Sequence, residues 1–252
     1  MQPIPFLLVD NQPIYFQQAI QYLQASGKLN PLVTDILRQY LLEREVNFRQ
    51  DLEINPALTE QAMVDFRLQN NLTEPKKFQQ WLQENNTTYE ALHQRLIATF
   101  KLTKLKNTIA ESKLQEYFIE RKIFLDRVVL SRIIVDKQEL AEEISTQIEE
   151  GASFEKLAQE WSMAEDKVVN GMLGPVSRGS IPDNLRAPID KAKPGDVIGP
   201  IELEGRWGLF RVEQFLSASL DDVQLKQTLE NEIFDQWLTE QMKKMDVKFQ
   251  MS

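Results

Sequence analysis

The spacing of apolar residues divides the chain into two regimes. From about residue 14 to 122 they recur at three- and four-residue intervals, with little turn chemistry between them, and this region reads as helices. In PLVTDILRQYLLEREVNF, residues Leu32, Ile36, Leu37, Tyr40, Leu41 and Phe48 fall on one predicted helical face. TEQAMVDFRL, KKFQQWLQE and the long run from Thr88 predict further helices. Thr87 with Glu90 and Ser112 with Gln115 have the spacing of capping boxes. Thr73 precedes Pro75, so LTEPKKFQQWL starts a new helix, because proline is tolerated only in the first turn.

From residue 128 the pattern changes. VVLSRIIV, residues 128–135, is an unbroken β-branched run of strand length with one fixed charge, Arg132, inside it. A helix over 137–149 follows, with Gly151 placed to end it. SFEKLAQEW predicts another helix from Ser153, and strands are predicted near 198–203 and over the alternating RWGLFRVEQF. The last segment returns to helix. Its stripe of Leu225, Leu229, Ile233 and Trp237, with Phe234, Leu238 and Met242, must be covered, and the N-terminal helices are the favoured cover. Trp81, Trp161 and Trp237 sit on apolar helix faces and read as core.

Eight of the nine glycines lie between Gly151 and Gly208, which marks off an α/β domain inserted between helical arms. The boundaries expected from this are 1–124 plus 217–252 for the helical part and 125–216 for the insert. The chain has 252 residues, 42% of them hydrophobic, enough for one or two cores.

Charge and composition narrow the function. A net charge of −9 disfavours nucleic acid and anionic membrane as partners, since both need a basic face. With no cysteine there is neither a disulfide nor a thiolate nucleophile. The lone His93, in YEALHQRL, cannot form a metal site, and no metal or cofactor is expected. There is no phosphate-binding glycine loop and no serine nucleophile elbow. FLLV near the start lacks the basic flank and length of a signal peptide, and no run reaches the ~18 apolar residues of a membrane span. The expected compartment is cytoplasmic as the sequence stands, or periplasmic if a leader was removed.

Four pieces in order carry the most specific information: SFEKLAQEWS, NGMLGPVSRGSIP, KPGDVIGPI and WGLFRVEQF. Their spacing resembles the parvulin-type peptidyl-prolyl isomerases. Gly171, Leu173, Gly174, Arg178 and Gly179 match one motif of that family, and Lys193, Pro194, Gly195, Gly199 and Pro200 a second. Phe154, Leu157, Ala158 and Ser162 match the preceding helix. LVDNQPI, the helical arms and the insert together look like the SurA and PrsA class of chaperone-isomerases. The resemblance implies an α+β fold: a helical N-terminal chaperone-like domain, completed by the C-terminal helix, with an inserted parvulin (FKBP-like β/α) domain.

It also implies a site. The family's first catalytic histidine falls on Arg132, its second on Gly208, and its Cys or Asp on Ala164. None of the three polar positions is kept. The apolar floor of the proline pocket maps to Leu173, Ile181 and Leu185, with Val176 and Trp207 as further peptide-binding candidates. Rotating a prolyl amide breaks no bond, so catalysis rests on binding the twisted form better than the planar one. The resemblance therefore implies a peptidyl-prolyl isomerase and chaperone for unfolded or proline-containing polypeptides, with activity weak or lost. The alternatives are a non-catalytic module that recruits one partner and an isomerase with a non-standard site. Arg132 has two readings: it crosses the old site towards the space left at Gly208 and meets Asp166 or Glu202, or it snorkels to solvent. Exchange of the C-terminal arm would give a homodimer.

Overall fold

The computed structural model describes residues 4–248. The chain forms two compact units, one of residues 1–114 and 228–252 and one of residues 115–227. The sequence boundaries lie about ten residues inside the second unit at each end.

The first unit opens with a hairpin, β1 (Leu7–Val9) and β2 (Gln12–Ile14). Asp10 and Asn11 turn it with φ of 50° and 63°, the left-handed pair that a tight two-residue turn requires. The sequence pattern gave no strand here. Helices α1 (Phe16–Ala25), α2 (Leu29–Phe48), α3 (Pro56–Gln69), α4 (Pro75–Glu84) and α5 (Tyr89–Glu111) follow. Pro56 and Pro75 each sit in a first turn, where a missing N–H costs nothing. The cap of α5 is Thr88, whose Oγ1 accepts from the Ala91 amide at 3.1 Å, rather than Thr87. Ser112 ends α5, and its hydroxyl donates back to the Ile109 carbonyl.

The last helix, α10 (Val223–Lys243), belongs to this unit from Thr228 onward. Its Phe234 and Leu238 pack with Leu41 of α2, Leu52 and Leu105 of α5, which answers what covers the C-terminal stripe. On α2 the buried edge runs through Leu41, Leu42 and Val46, while Ile36, Tyr40 and Phe48 are exposed. The apolar stripe of α2 is wider than the surface that covers it within this unit.

The second unit contains α6 (Leu114–Leu125) from Gln115 onward, β3 (Arg127–Val135), α7 (Gln138–Glu149), α8 (Phe154–Trp161), β4 (Met172–Ser177), α9 (Asp183–Ile189), β5 (Val197–Leu203) and β6 (Arg206–Leu216). All neighbouring strands are antiparallel, in the order β4-β3-β6-β5. Strand β4 and helix α9 lie in the Gly/Pro-rich stretch, where short length and turn residues hid their periodicity.

β3 shows no clean polar alternation because helices pack on both faces of the sheet. Ile133 and Val135, with Leu209, pack on Ala141 and Ile144 of α7 and on Phe154, Leu157 and Ala158 of α8. Val128 and Leu130, with Phe210 and Val212, pack on Ile181 and on Leu185 and Ile189 of α9. Trp161 is 41% exposed at the end of α8 and is not core, whereas Trp81 and Trp237 pack against buried clusters.

Candidate active site

The second face of the sheet is only partly covered. Beside α9 it leaves a cavity of about 860 Å³. Leu130, Arg132 and Ile134 enter it from β3, and Phe210 from β6. Alternate residues of a strand share a face, so these three β3 side chains point the same way. Leu173 and Val176 come from β4, and Ile181 and Leu185 from the turn into α9 and from α9 itself. Ile181 and Leu185 are almost fully buried, and Leu173 stands at the rim. Met163 and Ala164 form the wall opposite.

Ser162 sets that wall. Its buried Oγ accepts from the Ile134 amide at 3.2 Å and from the Ala164 amide at 3.3 Å. The Met163 amide donates to the Ile134 carbonyl at 2.8 Å. The chain after α8 is thus sewn to the end of β3, which brings Ala164 to the cavity.

Arg132 is anchored twice. Its Nε donates to Asp166 Oδ2 at 2.7 Å, and its amide donates to the Gly171 carbonyl at 2.7 Å. Asp166 is the carboxylate that the first reading of Arg132 requires; Glu202 does not pair with it among the described residues. Gly171 sits at φ 77°, and a Cβ there would strike the Arg132 carbonyl, so only glycine brings the two backbones this close.

The volume trade between Arg132 and Gly208 does not occur. The strand register pairs Arg132 with Phe210, and Gly208 with Ile134. A Cβ on Gly208 would meet the Phe210 ring at 2.6 Å and the Ile134 side chain at 3.2 Å. The space above Gly208 is therefore filled by the phenylalanine, and Arg132 turns the other way, to Asp166. Trp207 is also misplaced by the sequence reading. It packs with the Ile133 and Leu209 cluster on the opposite face. Adjacent strand residues point to opposite faces, so Trp207 and Gly208 cannot both look into the cavity. Ile134 shares the strand face of Arg132 as alternation predicts, whereas the sequence reading does not single out Phe210, although its two-residue offset from Gly208 is the available signal.

The motif arginine, Arg178, has a structural post. Its guanidinium bonds Asp190 through Nε at 3.0 Å and Nη2 at 2.8 Å, and reaches Asp126 Oδ2 at 3.1 Å through Nη1. Asp126 is buried and also accepts from Lys122 Nζ at 2.8 Å and the Ala218 amide at 2.9 Å. Burial pushes its carboxyl up, but the Lys122 bond, the Ala218 amide and the Arg178 charge outweigh that and hold it below the usual range.

On the helical face of the sheet, buried Ser131 donates to Glu213 at 2.6 Å, and Arg211 bridges Glu213 and Glu155 at 2.8 Å each. The Glu155 carboxyl is held down at about 2 by the Ser153 hydroxyl, its own backbone amide and Arg211. His93 stacks on Tyr89 and lies 3.4 Å from Glu60, in the first unit. No cluster of three metal-ligating side chains exists among the described residues.

The comparisons with known proteins decide what this domain is. The family model for the Rotamase, PPIC-type PPIase domain matches residues 131–214, a third of the chain. This segment is a parvulin domain. The chain is 29% identical over 112 residues to foldase protein PrsA 1 of Listeria innocua, covering 43% of this chain and 37% of that protein. It is 23% identical over 147 residues to a parvulin-like PPIase of Rickettsia conorii, covering 57% of this chain and 51% of the relative. The chain thus spans well under two thirds of the length of these curated relatives. The crystal structure of a peptidylprolyl isomerase (PrsA) from Bacillus cereus aligns over 99% of this chain and 95% of its own, at 15% identity and a TM-score of 0.45. Within the parvulin domain, the cavity gathers Arg132, Ala164, Leu173, Val176, Ile181 and Leu185, and excludes Trp207.

Proposed function

We propose that the parvulin domain binds unfolded or proline-containing polypeptide in the cavity over Ile181, Leu185 and Phe210, and that it isomerises prolyl bonds weakly or not at all. The observation that carries this reading is the composition of that cavity. Its apolar floor is intact, while the two imidazole positions hold an arginine tied to Asp166 and a glycine roofed by Phe210. A proline ring needs an apolar slot, which is present. Stabilising the twisted amide needs preorganised donors at the rotating bond. The imidazoles that supply polarity there in the family are replaced.

The helical unit, residues 1–124 with 217–252 in the domain reading, fits a chaperone role for the same polypeptides. Phe6, Leu8, Phe16, Tyr22, Ile36 and Tyr40 are each more than half exposed, which supports contact with apolar segments. No helix among the described residues is long and apolar enough to cross a membrane.

A protease-coupled assay with tetrapeptides varied before the proline tests the catalytic half. The expected rate equals the uncatalysed one. A rate far above it, abolished by a cavity substitution such as Leu185→Ala, would mean that the non-standard site works. Suppression of aggregation of an unrelated unfolded protein tests the chaperone half; no suppression would leave a single-partner recruitment module.

A further inference from the structure

We propose that Arg132 makes the cavity an anion subsite, selecting peptides that bring one carboxylate to its floor beside the proline. This rests on the reading that the cavity takes peptide. The guanidinium carries five N–H donors in a fixed fork. Among the described residues only Nε is engaged, with Asp166 Oδ2. The pair is monodentate, and Asp166 Oδ1 is buried with no hydrogen-bond partner. The fork is therefore not turned flat against Asp166, and its terminal amines are left to the cavity that Arg132 lines.

Its surroundings sharpen the preference. Arg132 is two-thirds buried, and its strand neighbours in the cavity are Leu130, Ile134 and Phe210. A charge there is screened less than one on the surface, so a second, bidentate partner is favoured. Asp166 pins the side chain through Nε, which lowers the entropy lost when a ligand docks. The other charged lining groups, Glu165, Glu204 and Arg206, are all exposed at the mouth. Arg206 faces Asp136 at 3.8 Å. The two rim carboxylates oppose polyacidic segments, so the selected ligand carries a single acid directed inward. That acid is either a Glu or Asp side chain next to proline or the free carboxylate of a chain end.

The test is an NMR titration of the full chain with four N-acetylated peptides. Three are Ac-Ala-X-Pro-Phe amides with X as Glu, Gln or Lys, and the fourth is the Gln peptide with a free C-terminal carboxylate. The Glu peptide, the free-carboxylate peptide or both should bind about tenfold tighter than the neutral one, ~1.4 kcal/mol. Which of the two gains identifies the source of the acid. In Arg132→Gln the ratio should fall to near one, with the fold checked by circular dichroism, whereas Arg132→Lys should keep part of it. If that variant fails to fold, the wild-type panel still decides. Equal affinity for all four peptides, or tightest binding of the Lys peptide, would overturn the anion subsite alone. Binding of none, the neutral peptide included, would overturn the peptide-binding reading and this one with it.

Discussion

At the scale of single residues, the proposed site depends on one phenylalanine as much as on the arginine and the glycine at positions 132 and 208. Phe210 occupies the volume above Gly208, so restoring a histidine at 208 does not restore the site. Gly208→His should overpack this corner and destabilise the chain by about 1–3 kcal/mol. Adding Phe210→Ile should recover most of that loss in thermal melts; no recovery would mean that the ring is not the obstacle. Titration also belongs to this scale. Glu155 ordinarily titrates near 4.5 and is held at about 2 in the fold. A depressed carboxyl contributes stability above its unfolded value and loses it as pH falls through the folded one. Denaturation midpoints should therefore drop between about pH 4.5 and 2, and Glu155→Gln should flatten part of that drop. Because this side chain is well exposed, added salt should shrink its share.

At the scale of elements, a buried carboxylate ties several elements of the second unit together. Asp126 links the end of α6, the turn after β4 and the exit from β6 through Lys122, Arg178 and the Ala218 amide. Removing it leaves a partly buried guanidinium and a backbone donor short of a partner. Asp126→Ala should cost about 3 kcal/mol in denaturant titrations; a loss under ~1 kcal/mol would show that water replaces the carboxylate easily. The elements also show what the sequence made legible. β3, α7, α8, β5 and β6 could be placed because each is long, or carries a clear β-branched run or cap. Arg132 and Ala164 could be assigned to the cavity because motif spacing fixes them. β4 and α9 were hidden by glycine and proline, whose turn chemistry masks short periodic runs. The partner opposite Arg132 was hidden for another reason: cross-strand register depends on bulges, and β3 carries one against each neighbour. A one-chain pattern does not contain that information.

At the scale of the whole molecule, the helical arms and the inserted domain were legible because glycine content changes so sharply along the chain. The exact joint was not, since it depends on contacts rather than composition. Lys122 and Ala218 both lie outside residues 125–216, yet both hold Asp126. A segment of residues 115–227 should therefore melt at a higher temperature than one of 125–216, and equal melting would show that α6 and the exit segment add nothing. The central claim, a retained proline cradle with its imidazole pair replaced, joins these scales. Its most direct test is two-dimensional NMR exchange spectroscopy on one sample of the full chain with a proline tetrapeptide. The account predicts shift changes at Leu173, Ile181 and Leu185 on binding, with cis–trans exchange of the peptide no faster than in buffer. Undisturbed signals at those residues, or exchange accelerated many-fold, would contradict it.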